Sequence, residues 1–89
     1  MTFSVQLSKD AQQYLDRLDS TTKGRIVSRV DEVAVDPFSH HTKPLAGRPG
    51  VRAARVGGYR IVFAVDVANK IVKISDIGPR GQVYRGLSS

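Results

Sequence analysis

Cysteine and tryptophan are absent from this 89-residue sequence, and methionine occurs once. Without cysteine the chain has neither disulfides nor thiolate metal ligands, which suits a reducing compartment. The N-terminal residues show no basic leader before an apolar run, and no segment approaches the ~20 apolar residues needed to cross a bilayer. We therefore expect a soluble, cytoplasmic protein with no membrane partner.

Internal repeats and low-complexity segments are also lacking. A chain of this length buries roughly 60–65% of its unfolded surface, so its core is modest. We expect one domain over residues 1–89, with residues 85–89 as a loose tail.

Negative charge is scarce in the second half of the chain. Residues 1–42 carry five lysines and arginines against six carboxylates, whereas residues 43–89 carry nine against two. Six of these nine cations are arginine, which suits bidentate recognition of phosphate or carboxylate. This excess predicts a polyanionic partner, either nucleic acid or an acidic protein segment. The alternative is a general solubilising surface, although such surfaces usually mix both signs.

Hydrophobic periodicity predicts the secondary structure. Alternation over residues 2–7 indicates a strand, and helical spacing over 9–18 indicates a helix that Ser8 can cap. A second, longer helix follows the Asp19–Thr22 break and runs to about Val35, where Asp36-Pro37 ends it. Residues 37–50 contain three of the four prolines and are interpreted as an irregular connector.

The C-terminal half contains the strand signals. These are a hairpin of residues 51–56 and 59–66, a strand over 70–77 that Gly78-Pro79 interrupts, and a short extended piece over 80–84. The order β-α-α-β-β-β predicts an α+β fold, with a small, mostly antiparallel sheet and an N-terminal helical hairpin packed on one face. The other face of the sheet is then free to carry arginines.

The hairpin supplies the central hypothesis. Paired glycines at 57 and 58 can provide the positive φ angles of a two-residue turn. That register places Arg55 directly opposite Arg60, where like charges repel by about 3 kcal/mol at 5 Å and an effective dielectric of 20. We expect an anion to lie between the two guanidinium groups.

His40 and His41 are the only histidines. Adjacent histidines are expected to point in different directions, and no third ligand lies nearby at metal spacing. We therefore predict a surface loop with no metal and no cofactor. A role as general base is possible in principle, but nothing else in the sequence supports it.

Several segments together resemble the RelE/ParE toxin superfamily, with RelE-like members favoured. They are Pro44–Gly47, Gly50–Asp66 with its Arg-Val-Gly-x-Tyr-Arg run, Val72–Arg80, and Val83-Tyr84, which closes an Arg-x-x-x-Tyr motif. The resemblance implies a toxin of a type II toxin–antitoxin pair. Its expected partners are a cognate antitoxin, mRNA in the ribosomal A site, and operator DNA through the antitoxin alone. RelE-like members cleave mRNA by 2′-hydroxyl attack without a metal, whereas ParE-like members poison DNA gyrase. A third possibility is a non-toxic module that only binds the antitoxin.

The same resemblance implies which residues act. Arg55, Arg60, Arg80 and Tyr84 match the family's catalytic positions. Ala53 stands where RelE-like nucleases often have a lysine or arginine that transfers a proton, and Arg52 should point to the opposite face of its strand.

Further cations are predicted to contact RNA through their charge; these are Lys43, Arg48, Arg52 and Arg85. Structural roles stay open for three of the catalytic candidates. Arg60 could pair with Asp66 or Asp76, Arg80 could bind a carbonyl, and Tyr84 could pack over the helices.

Overall fold

Residues 2–79 are described by the structure, a computed structural model. They form two helices and five strands: β1 Ser4–Leu7, α1 Lys9–Asp16, α2 Ser20–Val35, β2 Thr42–Pro44, β3 Val51–Val56, β4 Tyr59–Asp66 and β5 Ile71–Pro79. The strand order is β1-β5-β4-β3-β2. β1 runs parallel to β5, and the other three pairs are antiparallel. The predicted α+β class is confirmed.

Both helices begin at a side-chain cap. The Ser8 hydroxyl accepts a hydrogen bond from the Ala11 amide at 3.1 Å, as predicted. The Asp19 carboxylate accepts one from the Thr22 amide at 3.0 Å. These caps satisfy amides that have no partner within the helix. No helix within residues 2–79 has the length and apolar character needed to span a membrane.

The core lies between the helices and one face of the sheet. Ile26 and Val33 of α2 and Ala11 of α1 are at most 1% exposed. They pack in one cluster with sheet residues that include Ile61 and Phe63, both 0% exposed. The helices therefore occupy a single face, as the sequence predicts, and the opposite face is left to other side chains.

Two segments are more regular than predicted. Residues 42–44, within the predicted connector, form β2 and pair with β3. β5 also continues through Gly78-Pro79, although the sequence predicts that these two residues interrupt the strand. β1 pairs with β5 only as far as Ile74, so beyond this residue β5 has one strand neighbour, a place where proline is tolerated. Pro44 likewise lies on an edge strand.

The β3–β4 turn has the predicted register. Arg55 is paired with Arg60, and Val56 with Tyr59. Of the two glycines only Gly57 has a positive φ, 55°. A Cβ atom on Gly57 would also lie 2.9 Å from Nη2 of Arg25 on α2. The positive φ favours glycine here, whereas the Arg25 guanidinium lies at the end of a flexible, exposed side chain and can move aside.

Candidate active site

Strand alternation places Arg55 and Arg60 on the sheet face that points away from the helices. Their neighbours Val56 and Ile61 are buried in the core. Arg55 is exposed, and Arg60 is partly buried. Facing side chains on adjacent antiparallel strands have Cβ atoms about 5 Å apart, so the two arginines share one location.

A cleft of about 490 Å³ opens over this pair. Its basic lining residues are Arg29, His40, His41, Lys43, Arg55 and Arg60, and its remaining lining residues are Pro44, Leu45, Ala46, Ala53 and Ala54. None of these residues is acidic. Two other clefts, of about 240 and 270 Å³, each include carboxylates in their walls. The larger cleft is therefore suited to an anion.

The cations of this cleft differ in how they are neutralised. Arg29 contacts Glu32 through Nη1 and Oε1 at 2.7 Å. Within residues 2–79, the ion pairs found do not include Arg55 or Lys43. Charge at these two positions is therefore available to a bound anion, whereas that of Arg29 is partly compensated.

Arg52 lies apart from the cleft, on the helix-facing side of β3. Its Nη2 and Nε atoms donate to Oγ1 of Thr42 at 2.9 and 3.2 Å. Its guanidinium carbon is 5.1 Å from the centre of the Phe38 ring. The sequence predicts that Arg52 points to the opposite face of β3 from Ala53, and this position agrees with the prediction. Arg52 thus links β3 to the α2–β2 segment, and its predicted contact with RNA stays a prediction.

His40 and His41 are exposed in the turn before β2, in agreement with the predicted surface loop, but their side chains do not point in different directions as expected. Their rings face each other, with centres 4.0 Å apart and planes at 39°, and both line the cationic cleft. No signal in the sequence locates them, because β2, the strand that brings these residues to the cleft, forms only by pairing with β3. No three potential His, Cys, Asp or Glu metal ligands come together within residues 2–79.

The remaining predicted site residues are distributed as follows. Lys43 faces Ala53 across the β2–β3 ladder and lines the cleft. Arg48 is exposed in the turn before β3, where its amide donates to the Leu45 carbonyl at 3.2 Å, and it does not line the cleft. The predicted roles of Arg80, Tyr84 and Arg85 lie outside the described residues.

Two other tyrosines have packing roles. Tyr59 contacts Tyr14 edge to face with ring centres 6.5 Å apart, and both pack against the core. Burial, and secondarily the neighbouring Tyr59, raises the pKa of Tyr14. Both rings therefore act as packing groups at the edge of the core.

Comparison with known proteins gives one family and a set of similar folds. Residues 5–84 match the family model described as "ParE toxin of type II toxin-antitoxin system, parDE". No curated protein matches the chain by sequence. The RelE–RelB complex from Pyrococcus horikoshii contains a chain with 26% identity and a TM-score of 0.78, over 92% of this chain and 99% of that one.

Two further solved structures have the same fold. The RelBE2 toxin–antitoxin complex from Mycobacterium tuberculosis gives 24% identity and a TM-score of 0.78, covering 90% of this chain and 100% of that one. The isolated RelE toxin of E. coli has 23% identity and a TM-score of 0.77, over 97% of this chain and 95% of that one.

Proposed function

The chain belongs to the ParE toxin family of type II toxin–antitoxin systems, and we propose that it acts as a ribosome-dependent mRNA endonuclease. In this proposal it cleaves RNA by attack of a 2′-hydroxyl, without a metal, and a cognate antitoxin holds it inactive. The supporting observation is the arginine pair at positions 55 and 60, in a cleft whose lining residues include no carboxylate.

The cleft chemistry suits this reaction. Attack by the 2′-hydroxyl on the adjacent phosphorus passes through a negatively charged pentacovalent phosphorane. Fixed cations close to the phosphorus stabilise that state more than the starting diester. Arg55 and Arg60 are held on neighbouring strands of a sheet, so their Cα positions need no rearrangement when the charge develops.

Other predicted residues complete the proposed site. Arg80 is proposed to add a third cation, and Tyr84 either to stack on a base or to donate its phenolic proton to the leaving oxygen. Arginine is a poor proton carrier because its guanidinium group holds its proton throughout the physiological pH range. The proposed arginine clamp alone should therefore be slow on free RNA, and we assign most of the substrate positioning to the ribosome.

The antitoxin is the partner that the comparisons support, since several of the similar structures are toxin–antitoxin complexes. We propose that an extended acidic and apolar tail of the antitoxin covers the arginine face. Carboxylates on that tail would occupy the place of the RNA phosphate. Operator DNA is then contacted through the antitoxin only.

Purified ribosomes programmed with a defined mRNA and an open A site provide the test. The wild-type protein is expected to break the mRNA at a fixed position in the A-site codon and to leave free RNA largely intact. The Arg55→Ala variant serves as the matched control and should lose cleavage. Messages that stay intact on ribosomes exposed to the wild-type protein would refute the nuclease proposal.

A second candidate is inhibition of DNA gyrase, as in ParE-like proteins. Two observations favour it: the matching family model is that of ParE, and Ala53 replaces the basic residue common in RelE-like nucleases. Expression in bacteria separates the candidates. Gyrase poisoning gives broken or relaxed DNA with intact messages. The nuclease activity gives cleaved messages with undamaged DNA.

A further inference from the structure

We infer that His41 is the proton acceptor for the attacking 2′-hydroxyl in the cationic cleft, a role that neither the arginines nor Ala53 can fill. The inference rests on the proposed nuclease function. That proposal names no group that accepts the 2′-hydroxyl proton, and the inference assigns this role to His41. Imidazole is the side chain that most often transfers protons at neutral pH.

The sheet register places His41 beside the arginine pair. Thr42 faces Ala54 at the end of the β2–β3 ladder, and His41 is the turn residue directly before it. Arg55 follows Ala54 on β3 and faces Arg60 on β4. His41, Arg55 and Arg60 all line the same cleft. A phosphate bound by the arginines therefore lies within reach of the imidazole.

The loop that carries His41 is held by buried hydrogen bonds. Thr42 is only 4% exposed, and its Oγ1 donates to the carbonyl of Pro37 at 2.8 Å while it accepts from Arg52. The Thr42 amide also donates to the Ser39 carbonyl at 3.0 Å. These contacts hold the loop backbone on both sides of the exposed His40 and His41 and so fix the position from which the imidazole of His41 projects.

Only one proton transfer can be assigned to this histidine pair. The attacking 2′ oxygen and the leaving 5′ oxygen lie on opposite sides of phosphorus in an in-line displacement. The two imidazole rings lie together, with centres 4.0 Å apart and planes at 39°, so we place both on one side of the bound phosphorus. We assign the side of the 2′-hydroxyl, because O5′ can take its proton from water whereas the 2′-hydroxyl needs a base to become a nucleophile.

The step balances as follows. A ring nitrogen of neutral His41 takes the 2′-hydroxyl proton while the bond between O2′ and phosphorus forms. The bond from phosphorus to O5′ breaks, and O5′ takes up a proton from water, or from Tyr84, which then regains one from solvent. The products are a 2′,3′-cyclic phosphate and a 5′-hydroxyl, and His41 returns its proton to solvent.

The titratable and charged groups that line the cleft with His41 include no carboxylate. They are Arg29 from α2, His40 from the same loop, Lys43 from β2, Arg55 from β3 and Arg60 from β4. Lys43 is the competing candidate because it faces Ala53 directly. A lysine ammonium is normally protonated at neutral pH and must lose a proton before it can accept one, so the imidazole is better suited.

Single-turnover cleavage on programmed ribosomes between pH 6.0 and 8.5 tests the inference. The His41→Gln variant is expected to lose about 10²- to 10³-fold in rate and to lose the rise of rate with pH, with ribosome affinity changed less than about threefold. His40→Gln and Lys43→Gln are the matched controls. Both should lose some affinity but keep the pH dependence. Thermal unfolding of each variant, with His41→Asn as a second substitution, checks that the fold is retained.

A substrate with sulfur in place of O5′ distinguishes the two proton-transfer roles, since a thiolate leaves without being protonated. The defect of His41→Gln should persist on this substrate. Recovery of the wild-type rate would overturn the assignment, because His41 would then protonate the leaving group. An unchanged rate and pH profile in His41→Gln would also overturn it while the nuclease proposal stands. Absence of cleavage by the wild-type protein would overturn both.

Discussion

The two sides of the β3–β4 hairpin differ although they share one backbone. On the helix-facing side, Val56, Ile61 and Phe63 are at most 7% exposed and belong to the core. On the cleft side, Arg55 and Arg60 face each other. Apolar burial stabilises the sheet from one side, whereas like charges in direct opposition oppose its formation on the other. Ala53 and Val62, next to the arginines on the cleft side, are also buried, so apolar burial is not confined to the helix-facing side, whereas the paired cations occur only on the cleft side of the hairpin.

Truncation on the helix-facing side should have the largest effect. Phe63→Ala removes a ring that is 0% exposed and leaves a cavity, so the free energy of unfolding should fall by about 3–5 kcal/mol. Urea unfolding followed by circular dichroism measures the change. A loss below about 1 kcal/mol would mean that this side does not carry the stability of the hairpin.

Truncation on the cleft side should affect activity instead. Arg55→Ala is expected to reduce ribosome-dependent cleavage by about 10²–10³-fold, which corresponds to 2.7–4 kcal/mol of transition-state stabilisation. Its free energy of unfolding should change by less than about 0.5 kcal/mol because the side chain is exposed. Arg55→Lys keeps the charge but loses the bidentate geometry, and should recover only part of the rate. Loss of cooperative unfolding in Arg55→Ala would show a structural role.

A smaller effect on stability is expected at Thr42, the first residue of β2, which holds the α2–β2 loop. Thr42→Val keeps the shape of the side chain but removes the hydroxyl that contacts Pro37 and Arg52. Leaving these groups without that partner should lower the free energy of unfolding by about 1–3 kcal/mol. Thr21→Val, at an exposed position of α2, is the control and should change it by less than about 0.5 kcal/mol. Equal effects of both substitutions would contradict the anchoring role.

The smallest expected effect is a change in the pH dependence of stability. It concerns Asp19, at the start of α2 and outside the hairpin. Hydrogen bonds from the Thr22 side chain and amide lower the pKa of Asp19 below its ordinary value of 3.8. A depressed pKa in the folded state adds stability above that ordinary value, and this stability is lost as pH falls through the folded pKa. Asp19→Ser keeps an N-cap acceptor that does not titrate.

Urea unfolding at several pH values between 5 and 2 measures that contribution. Asp19→Ser should show a shallower loss of stability on acidification than the wild-type protein. Asp66, whose pKa is lowered by hydrogen bonds from Asn69, should still contribute a slope in the variant. Identical pH dependence in variant and wild type would contradict the assignment to Asp19.

Much of the fold could be predicted from local patterns. The caps at Ser8 and Asp19, the end of α2 before Pro37 and the Arg55–Arg60 register each depend on residues close together in the chain. The segments that were not predicted depend instead on pairing with another strand. β2 is three residues long and becomes a strand only because β3 lies beside it, so no periodicity within 37–50 indicates it. The extension of β5 through Pro79 likewise depends on pairing with β4.

Within the candidate site, the arginine pair was predictable and the histidines were not. The arginines are set by a two-residue turn, whose geometry fixes which residues face each other. His41 and Arg55 are 14 positions apart in the chain, and the β2–β3 pairing between them is what brings the imidazole to the cleft.

The amino-acid sequence by itself determined the α+β class, the face that carries the arginines and the basic character of the C-terminal half, because each follows from side-chain periodicity, turn chemistry or composition. Tertiary structure alone decided that a short edge strand would form and that two histidines would join the cations of the cleft. Contacts between distant segments depend on the packing of the whole sheet, and no local pattern encodes them.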